Sequence, residues 1–167
     1  VAVSDCVEAI LKSLGFETER VEYDDPRGVR KANILGKKGS GTGGLGYFAH
    51  TDVVPADPWF SEEHGPFVPT VKGNKLYGRG SCDMKGFLAV ALAMVAEFEA
   101  RPLNVPIHLA LSCDEEVGCK GVRPLVAAMK GWVNKPKAVI VGEPTLMQVV
   151  NGHKSAVTFS TDVLGHE

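Results

Sequence analysis

Leu76-Tyr-Gly-Arg-Gly-Ser-Cys-Asp-Met-Lys-Gly86 sets glycines at 78, 80 and 86 around a single carboxylate, Asp83, immediately before a long apolar run. An acid in that place can simply cap the helix that follows, its side chain accepting hydrogen bonds from the first free N–H groups. Taken by itself, that is the simpler reading. The company Asp83 keeps supplies another. His50-Thr-Asp52 lies upstream, and Asp114-Glu115-Glu116 and Glu143-Pro144 lie downstream, each at the end of a strand-like segment.

Working outward from Asp83, Met84 to Ala100 is apolar nearly all round and predicts a mostly buried helix ended by Pro102. On the other side, Pro55 to Gly80 is a long excursion rich in Pro, Gly and aromatic residues, with strand signals at Phe67 to Val71 and Lys75 to Tyr77. Leu45 to Ala49, Ile107 to Ser112 and Ala138 to Val141 are continuous apolar runs that read as buried strands, and Gly121 to Met129 reads as a short helix. Strand and helix in alternation imply an α/β fold whose mixed sheet is mostly parallel and flanked by helices. Open sheets of this kind bind ligands beyond the carboxyl ends of their strands, where His50, Asp114 and Glu143 stand.

Both ends of the chain depart from this alternation. Val7, Ile10, Leu11 and Leu14 recur at helical spacing between Ser4 and Leu14, and Gly15 supplies a stop. Strands at Glu17 to Tyr23 and Lys31 to Lys37 follow, joined by a turn at Asp24 to Gly28, and Gly39 to Gly44 reads as an exposed loop. After Thr145 only strands are expected, at Gln148 to Asn151 and Ala156 to Leu164.

With 167 residues, of which 44% are hydrophobic and 23% charged, the chain can bury one core of ordinary size, so a single domain is expected. A formal net charge of -2 without a Lys/Arg cluster gives no electrostatic footprint for nucleic acid or an anionic membrane surface. No run approaches the roughly 18 apolar residues that span a bilayer, and the first residues lack the pattern of a signal peptide, so the expected location is cytoplasmic. Cys6, Cys82, Cys113 and Cys119 form no C-x-x-C pair, and they are expected to be buried thiols rather than a zinc knuckle or redox centre.

His50 and Asp52 at a strand end allow an imidazole to face a site while the nearby carboxylate supports it. Alone, His50 reads as a satisfied core histidine. Three consecutive acids after the apolar run Ile107 to Leu111 repel one another unless a cation or a shared proton relieves them; the competing reading is a solvated charge run. Neighbouring glutamates can also divide labour, one binding metal and the other reaching water. One histidine and several carboxylates suit zinc, cobalt or manganese, and a shared aspartate can hold two ions about 3.5–4 Å apart.

The segments His50-Thr-Asp-Val-Val-Pro55, Gly78-Arg-Gly-Ser-Cys-Asp-Met-Lys-Gly86, Asp114-Glu-Glu-Val-Gly118 and Gly142-Glu-Pro-Thr145 together resemble the acetylornithine deacetylase / succinyl-diaminopimelate desuccinylase / aminoacylase family of dinuclear metallohydrolases. Within it, Asp114-Glu-Glu-Val-Gly-Cys119 and Val149-Val-Asn-Gly-His-Lys154 are most similar to the acetylornithine deacetylase branch. The resemblance implies that His50 and Glu143 bind one metal ion, Asp83 bridges two, and Glu116 binds the second. It implies Glu115 as general base, Asp52 as the partner that supports His50, and a cis peptide after Asp83. The cofactors implied are two divalent ions, zinc or cobalt, and the substrate is a small N-acyl amino acid, N-acetylornithine before N-succinyl-diaminopimelate or a dipeptide. The resemblance assigns no role to His153 or Lys154. Family members are roughly twice as long, so residues 1–167 are expected to be part of a catalytic domain. The inserted dimerisation or lid domain of a homodimer, and the return to the sheet that brings a further histidine to the second metal, would lie outside them. His166 is not expected to be the lid's histidine. A metal-binding module without catalysis stays open as the alternative for the 167 residues alone.

Overall fold

The computed structural model describes residues 2–99, 103–132, 134–152, 154, 157 and 159–165. The elements run in the order α1 (Ala2–Ser13), β1 (Glu17–Asp24), β2 (Arg30–Lys38), β3 (Leu45–His50), β4 (Thr70–Lys72), β5 (Lys75–Tyr77), α2 (Lys85–Glu99), β6 (Ile107–Ser112), α3 (Val122–Met129) and β7 (Ala138–Val141). Five strands form one mixed sheet in the order β1-β2-β6-β3-β7, and β4 and β5 form a separate hairpin. Parallel pairing occurs where helices intervene, since β3 lies between β6 and β7 and runs with both. The antiparallel part is the N-terminal hairpin β1–β2, closed by the turn after Asp24, with β2 also antiparallel to β6.

Side chains alternate across this sheet, and the alternation sorts the core into two layers. Ile34, Leu109 and Leu111 face Val7 and Leu11 of α1 and Leu88 and Val95 of α2. Their neighbours Leu35 and Ala110 face Leu125 of α3 on the opposite side. Burying each of these leucines or isoleucines fully contributes about 1.5–3 kcal/mol of transfer free energy. A one-residue slip of β2 against β6 would exchange the two faces, so the packing fixes the register of the strands that carry the site.

Three expectations need correction. The helix after Asp83 is buried on one face only: Leu88 and Val95 pack inward, while Val90 is 63% exposed and Met94 and Phe98 are also exposed. A helix lying on a sheet has one face to bury, and among the described residues no further layer covers the other. Cys6, Cys82 and Cys119 are exposed and Cys113 is half-buried, because Cys6 lines the open groove between α1 and α2 and Cys82 and Cys119 lie in turns beside the site. Gln148 to Asn151 and the described residues of Ala156 to Leu164 form no strand. Their apolar pattern is strand-like, but Val149, Phe159 and Leu164 remain exposed, and among the described residues no neighbouring strand completes a ladder with them. His153 and His166 lie outside the described residues. Among those described, no helix is long and apolar enough to cross a membrane.

Candidate metal centre

Three adjacent strands deliver their carboxyl ends to one edge of the sheet. His50 on β3 stands opposite Ser112 on β6, and Phe48 stands opposite Val141 on β7, so the residues just past each strand converge. Asp83 reaches the same place from the turn ahead of α2. Met84, fully buried, anchors that turn, and its Sδ accepts the backbone N–H of His50 at 3.2 Å. The Asp83–Met84 peptide is cis, as the resemblance implies. Gly86 closes the turn where any side chain would collide: a Cβ there would lie 2.1 Å from the Ser81 carbonyl oxygen.

The imidazole of His50 is 2% exposed, and its two nitrogens are spoken for by different partners. Nδ1 lies 3.0 Å from the Asp52 carbonyl oxygen and Nε2 lies 3.0 Å from Asp83 Oδ1. Glu115 Oε2 and Glu143 Oε1 each lie 3.9 Å from the same Nε2. A carbonyl can only accept, so Nδ1 carries a proton, which leaves the Nε2 lone pair for the site. Burial is the largest influence on His50 and pulls its pKa down; the Asp52 carbonyl and carboxylate, Asp83 and Glu115 outweigh it, and the net direction is up. Glu143 is raised as well, first by burial and then by the negative charge of Asp83. Negative charge thus accumulates around one nitrogen and holds a proton or a cation there.

Those groups fit a divalent ion. A nitrogen of His50 and one oxygen each of Asp83 and Glu143 lie within 4.8 Å of one another, and the donors are one imidazole and two carboxylates, a set that suits zinc, cobalt or manganese. A cation in place of the second imidazole proton satisfies the same lone pairs that now crowd it. The carboxylate of Glu116 does not belong to this group of three.

Asp52 is held differently from what its spacing suggests. The nearest acceptor to His50 Nδ1 is its backbone oxygen, with the carboxylate Oδ1 farther away at 3.6 Å. The carboxylate instead accepts the backbone N–H groups of Glu115 and Glu116, both at 3.1 Å, and so joins the β3 end to the acidic turn. The three acids of that turn are divided. Asp114 points away from His50 and pairs with Lys31 at 2.8 Å and with the Tyr23 hydroxyl at 3.1 Å. A cation does relieve the acidic run, and for Asp114 it is a lysine from β2. Tyr23, Lys31 and Asn33, whose side-chain oxygen accepts the Cys113 N–H at 2.9 Å, carried no motif in the sequence; only the pairing of β1, β2 and β6 brings them to the turn.

The description peptidase family M20/M25/M40 matches residues 46–160. An acetylornithine deacetylase from Myxococcus xanthus is 37% identical over 170 aligned residues, which cover 100% of this chain and 43% of that protein. The solved structure of human carnosine dipeptidase 1 is 27% identical with a TM-score of 0.74, over 83% of this chain and 31% of that one. An M20 family metallo-carboxypeptidase from Sulfolobus solfataricus, 23% identical with a TM-score of 0.68 over 84% of this chain and 31% of its own, shares the fold. The chain spans about two fifths of the length of the curated relatives it matches.

Proposed function

The chain belongs to peptidase family M20/M25/M40, and from that premise we infer that the whole protein is a metal-dependent hydrolase that removes the acyl group from an N-acyl amino acid, with N-acetylornithine as substrate. The observation that carries the reading is the convergence of His50, Asp83 and Glu143 within 4.8 Å, with a fourth group, Glu115, 3.9 Å from His50. His50, Asp83 and Glu143 would hold the first ion, and Asp83 with Glu116 would take part in a second. Bound there, a divalent ion supplies Lewis acidity, which polarises an amide carbonyl and lowers the pKa of water.

The remaining work falls to side chains of this chain. Glu115 accepts the proton of the attacking water and returns it to the leaving amine nitrogen. Asp52 fixes the peptide that carries Glu115, and its carbonyl fixes the protonated nitrogen of His50. The choice of N-acetylornithine is supported by the deacetylase relatives, and a dipeptide is the second reading, supported by the likeness to carnosine dipeptidase. On this reading residues 1–167 are the part of the catalytic domain that holds the first ion, and a homodimer, a cytoplasmic location and a place in arginine biosynthesis belong to the whole protein.

The test is Glu115→Gln in the whole protein. Removing the general base should lower turnover by about 10²–10⁴-fold while the bound metal stays at the wild-type stoichiometry. Full turnover in that variant would overturn the assignment. N-acetylornithine, N-succinyl-diaminopimelate and a dipeptide assayed side by side decide the substrate.

A further inference from the structure

Asn33 lies on β2, is completely buried, and uses both ends of its amide on one turn. Its side-chain oxygen accepts the backbone N–H of Cys113 at 2.9 Å and the Cys113 thiol at 3.2 Å, and its NH2 donates to the Gly121 carbonyl at 2.9 Å. Cys113 and Gly121 are the two ends of the loop that carries Glu115 and Glu116. The loop closes tightly on itself: a Cβ at Gly121 would lie 2.0 Å from the Cys113 carbonyl oxygen, and Asp114 O accepts the N–H of Lys120 at 3.0 Å. Asp114 adopts a left-handed backbone with φ 56, and Lys31 and Tyr23 hold its carboxylate there.

We propose that Asn33 is the positioning residue for Glu115 and Glu116. Two carboxylates next to a third and a fourth repel one another, so their peptide must be held from outside the cluster. Asp52 does this on the side of the site and Asn33 on the side of the core. An amide suits this place, because its oxygen and its NH2 lie on separate atoms and can at once accept the Cys113 N–H and donate to the Gly121 carbonyl, which also accepts the N–H of Leu125 at 3.3 Å. Lys31 adds the second fixed point by pairing with Asp114, while the next residue, Glu115, brings its carboxylate to 3.9 Å from His50. The proposal rests on the amide-hydrolase reading for its kinetic consequence, while its structural consequence is separate.

The experiment uses the whole protein loaded with zinc, as wild type, Asn33→Leu and Asn33→Asp. Leu keeps the volume and removes both hydrogen-bonding ends; Asp keeps the acceptor and loses the donor to Gly121. For partners that orient catalytic or metal-binding groups, the loss is about 10–100-fold in activity or metal affinity. The expected result is a fall of that size in kcat with KM within about 3-fold of wild type. Amide hydrogen exchange should quicken between residues 114 and 120 while the β6 amides stay protected. Unchanged kcat and unchanged exchange in a folded variant overturn the proposal, as does exchange that quickens equally in β6, which marks a merely structural role. If Asn33→Leu does not fold, Asn33→Asp carries the same comparison. If wild type hydrolyses none of the three amides while the variants still loosen the turn and weaken zinc binding, the positioning role stands and the amide-hydrolase reading falls.

Discussion

Two clusters of carboxylates sit on this one sheet, and folding treats them in opposite ways. On the surface of α1, β1 and β2, a cluster of acids is interleaved with bases: Glu8 meets Lys12 at 2.7 Å and Arg20 at 3.0 Å, and Glu22 meets Arg20 and Arg30. There the pKa of Glu8 is lowered, first by its hydrogen bond to Lys12. At the carboxyl end of β3, β6 and β7, Asp83, Glu115 and Glu143 share one imidazole, and the pKa of Glu143 is raised. The first cluster is electrically closed. The second is short of positive charge, and an arrangement that costs free energy without a cation is the kind expected at a functional site.

Adding the cation should produce the largest change. Zinc at 100 times its Kd should stabilise the protein by about 2.7 kcal/mol, read as a rise in Tm, and the gain should vanish in His50→Ala. A gain that survived in His50→Ala would place the ion elsewhere. Next comes the one acid of the turn that already has its cation. Lys31→Met leaves the Asp114 carboxylate short of its charge partner, and at pH 7 should cost on the order of 1–3 kcal/mol in urea unfolding. Lys31 is raised from its ordinary 10.5, first by its bond to Asp114. A lysine raised on folding stabilises fully below its ordinary pKa, and the contribution is lost as pH rises through the folded value. The difference between Lys31→Met and wild type should therefore close above pH 10.5. A constant gap up to and beyond that pH would show packing, not charge, at work.

The smallest effects set the two clusters directly against each other. Glu8 is lowered, so its stabilisation is present above its ordinary 4.5 and is lost as pH falls through the folded value. Glu143 is raised, so protonation favours the folded state and its contribution turns unfavourable as pH rises past 4.5 through the folded value. Without metal at pH 7, Glu8→Gln should lose about 0.5 kcal/mol, while Glu143→Gln should gain a few tenths, because solvent screens a half-exposed carboxylate. The same sign for both variants in urea unfolding would dissolve the distinction between the clusters.

Much of the site was legible because its parts are local. A histidine ending an apolar strand, an aspartate among glycines before a helix, and glutamates just past two further strands each leave a mark within a few residues. Where the reading went astray, the deciding contact was distant. The apolar run after Asp83 could not reveal that only one of its faces would meet the sheet. The stretch after Thr145 has the alternation of a strand, but a strand is defined by its neighbour.

What the sequence determined by itself was the set of groups, their order along the chain and the strand ends that carry them, since period and punctuation are written in neighbouring residues. Only the tertiary structure decided how the acids are shared out. Asp114 is given to Lys31 and Tyr23, 83 and 91 residues away, the Asp52 carboxylate to the peptides of Glu115 and Glu116, and Asp83 and Glu143 to His50. Electrostatic partnership depends on distance in space, and for carboxylates of one chemistry it is the pairing of β2 with β6 and of β3 with β6 and β7 that sets those distances.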